Sequence, residues 1–590
     1  MRRTMVQPKG VDIQLPAPVG GLNANASGTA MAPTDCYALY NMTPAELGLR
    51  VRLGAREHAS QIGGAIVSLL PFTGTTAAGS RIFATTSAGI FDITTPTEAT
   101  PLQAWTPGEP GVVPTDIFSN GGNNYVCTTG GTTAASGDGP TGNGTGIVDG
   151  TVIWDYLPPS ATQVLTFASA SGNAGRGVCH VHVTSAGHFL LYWDEVNGLH
   201  VYTESTGLWA AVALGAGATQ IAGVNPANLV HGTIFKGRVW HVERDSARLW
   251  YMETGSLYGT AQQFSQATKL KAGGSLRGVW NWTYDGGSGL DDRLVTASDG
   301  GDVAIWEGTD PSSASLFGMT GVWQVGALPA GRDIATDRGG ELLLLTRLGI
   351  LPLSKLVLGK SIEAQEYETA KISNLFNALM SSRASSLGWS MRLHPEDNTL
   401  VVTVPDPGGT GLTQLVMSMS YRSWSLYRDL EMSCTASYSG KLYFGDPDGS
   451  VWINEGTVDG VELGATSDYT AIQYAGLSSF QSLGSPRQKQ VHIIRPLFAG
   501  QSAAPDFDVD ARFDLDATEL GTVLFTGGDP GGWDSGVWDT AIWGGEYSPT
   551  MDVRGAVGMG VNVAIAWRGA SVDRTVLASF DIRYEEGGLL

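Results

Sequence analysis

The stretch 235–259, FKGRVWHVERDSARLWYMETGSLYG, decides the fold that the sequence predicts. It contains strand-like segments on both sides of a turn at Asp245-Ser246. Its residues do not have the spacing of a known catalytic motif. Comparable units, each with two short β-rich runs joined by a turn that contains Gly or Asp, recur along the chain. They lie at 80–94, 187–203, 291–308, 339–354, 398–420 and 440–456.

The spacing of these units predicts a β-propeller. From residue 187 onward they begin roughly 40–60 residues apart, which matches one four-stranded propeller blade. A lone four-stranded sheet leaves two open edges and an unburied face, and radial packing of blades covers them. The expected fold is therefore all-β: a β-propeller of about six or seven blades, with an inserted small β module and a C-terminal antiparallel β domain.

Composition agrees with this fold class. Of the 590 residues, 42% are hydrophobic, only 15% are charged and 80 are glycine, which suits short strands and tight turns better than long helices. The predicted organisation is an N-terminal arm with a short helix at 1–60, first propeller strands at 61–104, a Gly/Thr-rich module at 105–160, the remaining propeller at 161–456 and the C-terminal domain at 457–590.

Charge and cysteine content exclude several classes of protein. The net charge is −21, whereas proteins that bind nucleic acid tightly usually carry an excess of positive charge. The four cysteines, Cys36, Cys127, Cys179 and Cys434, are far apart, which predicts free thiols in a reducing cytosol. The N-terminus has no apolar segment of a secretion signal, and the apolar run 341–353 is too short to span a bilayer, so no membrane span is expected.

One helix is predicted within this β pattern. In 369–383 the apolar residues Ile372, Leu375, Phe376, Leu379 and Met380 form a single stripe at helical spacing. We expect this helix to pack on one blade or on a seam between blades, and a helix that docks a partner is the alternative.

Candidate metal and catalytic residues are sparse. His180 and His182 share one face of a predicted strand near His188, but no carboxylate or second cysteine has a matching offset. Asp446 and Asp448 precede a glycine in what reads as a hairpin turn rather than a calcium loop.

Paired carboxylates at Asp285, Asp291 and Asp292 could serve a glycosidase. The sequence shows no arginine cluster of the kind that binds a sugar carboxylate. We therefore predict no catalytic residue, no cofactor and no metal, and we assign five aromatic residues to blade packing. These are Trp240, Trp250, Tyr251, Trp306 and Trp452.

The segment 105–160 resembles small β modules of phage tail proteins. The matching residues are Trp105, Pro107, Gly108, Asn120, Gly121, Gly122, Asn123, Tyr125, Cys127, Thr128, Gly131, Thr132, Asp149, Gly150 and Trp154. Some such modules resemble carbohydrate-binding modules, which makes four aromatic residues candidates for glycan contact. They are Trp105, Tyr125, Trp154 and Tyr156.

Two further regions resemble the propeller nozzle proteins at the distal end of the tail in short-tailed bacteriophages. The N-terminal region matches at Pro18, Gly20, Gly21, Asn23, Met31, Pro33, Asp35, Leu39, Asn41, Arg52 and Gly54. The middle region matches at Phe235, Lys236, Arg238, Trp240, Val242, Glu243, Ser246, Trp250 and Tyr251. The resemblance covers 15–60 and 230–456, and its residues are packing and turn residues.

The resemblance implies a homohexameric ring in the virion tail, docked under a tail adaptor ring and with tail fibres as a further partner. The subunits would be made in the host cytoplasm, and genomic DNA would pass through the ring without tight binding. Six copies at −21 carry −126, so we expect Asp and Glu to dominate the lumen. Two other functions stay open: a receptor-binding tail protein that grips glycans, and a propeller glycosidase.

Overall fold

The computed structural model describes residues 10–587 except 61, 97–102, 122, 143, 158–160, 286–289, 358–363, 408–411, 461–468, 501–504, 522–547 and 551. The chain is nearly all-β and builds many small antiparallel sheets, so the predicted fold class is confirmed at that level.

Seven small antiparallel sheets follow one another in the described residues, and we number them along the chain. Sheet 1 contains Ser68–Phe72, Arg81–Thr86, Gly89–Asp92 and Thr162–Thr166; sheet 2 contains Gly177–Thr184, Gly187–Asp194, Gly198–Thr203 and Leu208–Ala211; sheet 3 contains Leu229–Phe235, Arg238–Glu243, Arg248–Tyr251 and Gln262–Ser265. Sheet 4 contains Leu276–Asp285, Leu290–Ser298, Asp302–Gly308 and Phe317–Gln324; sheet 5 contains Ala335–Arg338, Glu341–Thr346 and Gly349–Pro352; sheet 6 contains Ser390–His394, Thr399–Thr403, Gln414–Ser418 and Ser423–Tyr427.

Sheet 7 combines the two ends of this series. It contains Cys434–Tyr438, Lys441–Gly445, Val451–Ile453 and, as its outermost strand, Arg56–Ala59 from the N-terminal region. The His58 ring donates from Nε2 to the Ile93 carbonyl at 2.7 Å, so this strand also contacts the segment that follows the third strand of sheet 1.

The sheets contact one another in sequence. The first strands of sheets 1 to 4 touch in turn, and the first strand of sheet 4 touches the second strand of sheet 5. The first strands of sheets 5, 6 and 7 again touch in turn, and the first strand of sheet 7 touches that of sheet 1.

Between the third and fourth strands of sheet 1 in sequence, five short strands form a separate sheet. Its strands are Gln103–Ala104, Ile117–Asn120, Asn123–Thr129, Ile147–Asp149 and Val152–Leu157. A second small addition packs beside sheets 2 and 3, with the short parallel strands Ala213–Leu214, Gln220–Ala222 and Gly259–Thr260.

Two larger sheets combine the N-terminal arm with the C-terminal region. The first contains Val11–Pro16, Met42–Ala45, Gly48–Val51, Lys489–Gly500, Ser548–Thr550, Arg554–Gly555, Met559–Gly560 and Thr575–Glu586. The second contains Gly21–Leu22, Asp35–Tyr40, Val458–Asp459, Thr470–Ser478, Asp506–Phe513 and Val563–Ser571, and it continues into sheet 6 where Tyr40 pairs with Leu426.

The N-terminal arm differs from its prediction. Residues 10–60 contain strands and no helix, although we expected a short helix there. The reason is long-range pairing: Val11–Pro16 aligns along Ser579–Tyr584, so its backbone hydrogen bonds are made with the end of the chain.

The predicted helix forms at Ser373–Arg383, after a 3₁₀ turn at Ala370–Ile372. Its apolar stripe faces the core, with Ile372, Phe376 and Met380 fully buried. A four-residue helix covers Ser354–Val357, and short 3₁₀ turns lie at Ala77–Gly79, Pro226–Asn228 and Ala364–Glu366.

The aromatic residues assigned to packing lie at seams between sheets. Trp240 and Tyr251 of sheet 3 share a buried cluster with Trp306 of sheet 4, and their rings stack around Phe264 and Phe317. Each such aromatic pair adds roughly 0.5–1.5 kcal/mol beyond its buried area.

The two remaining tryptophans occupy neighbouring seams. Trp250 belongs to the cluster between sheets 2 and 3 and donates from Nε1 to Glu243 at 2.9 Å. Trp452 packs against the cluster between sheets 6 and 7 and donates to Asp446 at 2.8 Å.

A buried ion pair fastens the arm to the segment after sheet 7. The Arg52 guanidinium is fully buried and donates to both carboxylate oxygens of Asp459, at 2.8 and 2.5 Å. Gly54 lies so close to this segment that a Cβ would sit 1.9 Å from the Val458 carbonyl oxygen, so no other residue fits.

We expect Arg52→Ala to lower the free energy of unfolding by about 2–4 kcal/mol, because it removes a fully buried side chain and leaves the half-buried Asp459 carboxylate without its partner. Urea denaturation measures this change. The matched control is Arg347→Ala at an exposed site, with an expected change within about 0.5 kcal/mol. Equal effects of the two substitutions would contradict the role of this pair.

Candidate functional site

A small cavity, which we call the axial cavity, lies between the first strands of several sheets. Its volume is about 50 Å³, and it is lined by the first strands of sheets 1, 2, 6 and 7 and by the segment 331–333. The charged residues in its wall are Arg176, Glu195, Arg332, Asp333 and Arg392.

Two of the three arginines are paired with carboxylates. Arg332 donates from Nε and Nη2 to the two oxygens of Glu195, at 2.6 and 2.9 Å, and from Nη1 to the Arg277 carbonyl at 2.8 Å. Arg392 contacts Asp333 at 2.8 Å. Because the partners come from different sheets, these pairs connect sheets 2, 5 and 6 around the cavity.

The sequence shows no arginine cluster of the kind that binds a sugar carboxylate, but the structure brings three arginines together. Arg176, Arg332 and Arg392 line one cavity although they are far apart in sequence. Each lies next to or within a first strand, and the arrangement of the sheets brings these positions together. Sequence spacing carried no signal for this cluster, which only long-range contacts create.

Arg176 differs from the other two arginines. Within the described residues its side chain makes no ion pair or hydrogen bond. Its guanidinium approaches Gly388, where a Cβ would lie 3.0 Å from Nη1, and φ of this glycine is +121°. Burial lowers the pKa of Arg176, which reflects the cost of an unpaired charge in this environment.

The thiols near the axial cavity are unreactive. Burial raises the pKa of both Cys179 and Cys434 to about 12, so neither forms a thiolate near neutral pH. Burial also raises the pKa of the Asp333 carboxyl, against the opposing effect of Arg392. The arrangement can hold charge and accept or donate hydrogen bonds, and it offers no activated nucleophile.

The histidines considered for a metal site lie in different surroundings. Burial, with a contribution from Arg392, lowers the pKa of His180 to about 4, and burial lowers that of His182. His188 points to Glu204, with 3.6 Å between Nδ1 and Oε2. Across the described part of the chain, no group of three or more His, Cys, Asp or Glu side chains is placed to hold a metal.

The carboxylates considered for catalysis have hydrogen-bond or ion-pair partners where the structure describes their side chains. Asp446 accepts from Trp452 and from the backbone of Asp448 and Ser450, as expected for a hairpin turn. Asp292 accepts from Thr283 and pairs with Lys236 at 3.2 Å, at one end of sheet 4. The side chains of Asp285 and Asp291 lie outside the described residues.

The inserted module has an aromatic core rather than an aromatic platform. Tyr125 and Trp154 are fully buried, which removes them as glycan contacts because a sugar ring cannot reach them. Trp105 and Tyr156 are half-buried and pack against the same cluster. Asp149 holds the core, since it accepts from Trp105 Nε1 at 2.7 Å and from Trp154 Nε1 at 3.0 Å.

Comparison with known proteins leaves the family open. No protein-family model matches the chain, and no curated protein matches it. Among solved structures, the computationally designed Ika8 protein matches with a TM-score of 0.33 and 10% identity, covering 68% of this chain and 99% of its own.

Two further structures are similar at the same low level. The extracellular domain of a hybrid two component system from B. thetaiotaomicron has a TM-score of 0.32 and 13% identity, and the match covers 61% of this chain and 42% of that one. An exo-beta-1,3-galactanase from Phanerochaete chrysosporium has a TM-score of 0.27 and 13% identity, covering 69% of this chain and 96% of that one. In the described part of this chain, no helix has the length and apolar character needed to cross a membrane.

We expect Asp149→Ala to destabilise the inserted module by roughly 2–4 kcal/mol, because two indole N–H groups lose their acceptor. Limited proteolysis should then cleave within 105–160 while the seven sheets resist. Asp138→Ala, at an exposed carboxylate of the same module, is the control. Unchanged cleavage in Asp149→Ala would contradict this role.

Buried histidines that stay neutral in the folded state lead us to expect a lower stability of the fold in acid. The His241 ring is fully buried, accepts from Trp193 Nε1 at 3.0 Å through Nδ1, and burial lowers its pKa to about 3. Between that value and the ordinary histidine value near 6.5, the unfolded chain binds a proton that the folded chain does not. The folded state therefore loses stability as pH falls through this window.

We expect His241→Asn to remove about 1.4 kcal/mol per pH unit from the acid dependence of the unfolding free energy between roughly pH 6 and 4. Urea denaturation at a series of pH values measures this slope. Above about pH 7 the two proteins should show parallel curves, because the histidine is neutral in both states. Parallel curves throughout the acid range would contradict the assignment of His241.

Proposed function

We propose that the chain is a structural subunit of the distal nozzle of a short phage tail, and that it is not an enzyme. The observation that carries this proposal is the position of the residues behind the N-terminal resemblance. They form a buried joint: Asp35 accepts from Asn23 and Lys371, Asn41 bridges the Gln473 carbonyl and the Arg428 amide, and Arg52 pairs with Asp459. Such residues maintain a rigid body and perform no chemistry.

The same proposal includes a closed seven-bladed β-propeller, with sheets 1 to 7 as its blades. Contacts between the first strands around the series support closure, and so does the pairing of Arg56–Ala59 with sheet 7. A blade completed by strands from both ends of a series joins the first and last blades, which resists radial opening of the ring.

The passage for DNA would lie between subunits and not within one. The axial cavity, at about 50 Å³, is far too small for a duplex, and its ion pairs close it further. A homohexamer would surround a central channel whose wall the acidic chain, at −21, supplies with carboxylates that repel phosphate. A tail adaptor ring and tail fibres are the proposed partners, and the virion tail is the proposed location.

The other two functions have less support. The aromatic core of the inserted module argues against a glycan platform built on Tyr125 and Trp154. For a glycosidase, Asp292 is paired with Lys236, and the carboxylates of the axial cavity are each held by an arginine.

The test is the mass and DNA affinity of the purified chain. We expect mass photometry to show a six-subunit particle, alone or after addition of an adaptor ring, with a hole visible in electron micrographs. Fluorescence anisotropy with a labelled duplex should show no binding at about 0.15 M salt, because few cationic groups are available for counterion release. A monomer under both conditions, or tight DNA binding, would contradict the proposal.

A further inference from the structure

A second cavity, which we call the funnel, adjoins the axial cavity. Its volume is about 700 Å³, and it shares Val67, Arg176, Leu387, Gly388 and Ser433 with the axial cavity. Arg176 therefore lies at the neck between a roomy outer chamber and a small inner one. The outer chamber is large enough for a small molecule, and the inner one has space for a few atoms only.

The charges around the neck are not balanced. Glu195 neutralises Arg332 and Asp333 neutralises Arg392, whereas Arg176 has no carboxylate partner among the described residues. The groups that bear on its charge are Cys434 and Tyr192, and burial raises the pKa of both, so both are neutral near pH 7. The wall of the axial cavity thus keeps one positive charge in excess.

Unpaired hydroxyl groups lie in the walls of the same two cavities. The side-chain oxygens of Ser390 and Thr435 in the axial cavity and of Thr403 in the funnel are buried, and none has a hydrogen-bond partner in the described structure. Buried polar atoms in folded proteins are almost always paired. Three such hydroxyls lie in the walls of the two cavities that meet at Arg176, whose guanidinium also lacks a partner among the described residues.

We propose that the neck binds the carboxylate of a small sugar acid, with Arg176 as its charged partner. A planar guanidinium pairs with a carboxylate through two parallel hydrogen bonds, and hydroxyls can donate further bonds to the same oxygens. The carboxylate enters the axial cavity, and the hydroxylated body of the ligand lies in the funnel beside Asn173, Ser385 and Ser386.

The surrounding carboxylates favour a ligand with a single negative charge. Glu195 and Asp333 lie in the wall of the axial cavity, and Asp406 and Glu431 lie in the wall of the funnel. A phosphate dianion would meet more repulsion there than a carboxylate does. The proposed site does not depend on the role of the chain in a phage tail.

Isothermal titration of the full chain with D-glucuronate tests the site. We expect saturable binding of glucuronate, no binding of glucose, which lacks the carboxylate, and weaker binding of inorganic phosphate. Arg176→Gln should weaken glucuronate binding by about tenfold or more, because it removes a charged hydrogen-bond donor. The control Arg347→Gln, an exposed arginine, should leave the affinity unchanged.

A second variant guards against misfolding of the first. Arg176→Lys keeps a positive charge but lacks the planar pair of donors, and it should weaken glucuronate binding less than Arg176→Gln does. The thermal midpoint of Arg176→Gln should equal or exceed that of the wild type, because the substitution removes a half-buried charge that has no ion-pair partner among the described residues. Unchanged glucuronate affinity in both variants, or equal binding of glucose, would overturn the proposal.

A longer ligand distinguishes two sources of the carboxylate, which are a free sugar acid and the end of an acidic glycan. An oligosaccharide that ends in glucuronate should bind if the site receives the end of an acidic glycan. Binding of the free monosaccharide alone would indicate a free sugar acid, with the same chemistry at Arg176. Tighter binding of phosphate than of glucuronate would contradict the assignment of a carboxylate.

Discussion

The pairing of Arg56–Ala59 with Val451–Ile453 is the constraint on which the rest of the structure depends. Without it, sheet 7 would end in an open edge, and the packing of its first strand against that of sheet 1 would have to hold the two ends of the series of sheets together. The loop closed by this pairing is almost 400 residues long, but the entropic cost of closure grows only with the logarithm of loop length. A few hydrogen bonds, the His58 contact and the buried Arg52–Asp459 pair can therefore hold the two ends together.

The interior of the series follows a different principle. Seams between neighbouring sheets are filled by aromatic side chains such as Trp240 and Trp306, whereas the centre is polar. The pair Arg332–Glu195 connects sheets 5 and 2, and the pair Arg392–Asp333 connects sheets 6 and 5. Each pair is stable only while both partners are held in position. The contacts between neighbouring sheets can therefore contain large apolar residues, while the wall of the axial cavity contains arginines and carboxylates. Arg176, which has no ion-pair partner among the described residues, lies in the wall of the same cavity.

Much of the body could be predicted from the sequence, because its signals are local. The hairpins, the helix at Ser373–Arg383 and the inserted sheet follow from periodicity, turn residues and composition over short windows. The strand character of the N-terminal arm and the arginine cluster could not be predicted. Val11–Pro16 gains its pairing from the other end of the chain, and Arg176, Arg332 and Arg392 meet only after several sheets have assembled. The resemblance includes Arg52 and Gly54, but no local pattern indicates that Arg52 pairs with Asp459, about 400 residues away.

Hydrogen exchange of the backbone amides at 56–59 tests the central claim most directly. If this strand completes sheet 7, those of its amides that donate to the strand 451–453 should exchange as slowly as the amides of that strand, since both would open only when the sheet itself opens. Exchange at 56–59 at the rate of an unpaired N-terminal segment, with 451–453 still protected, would contradict the account.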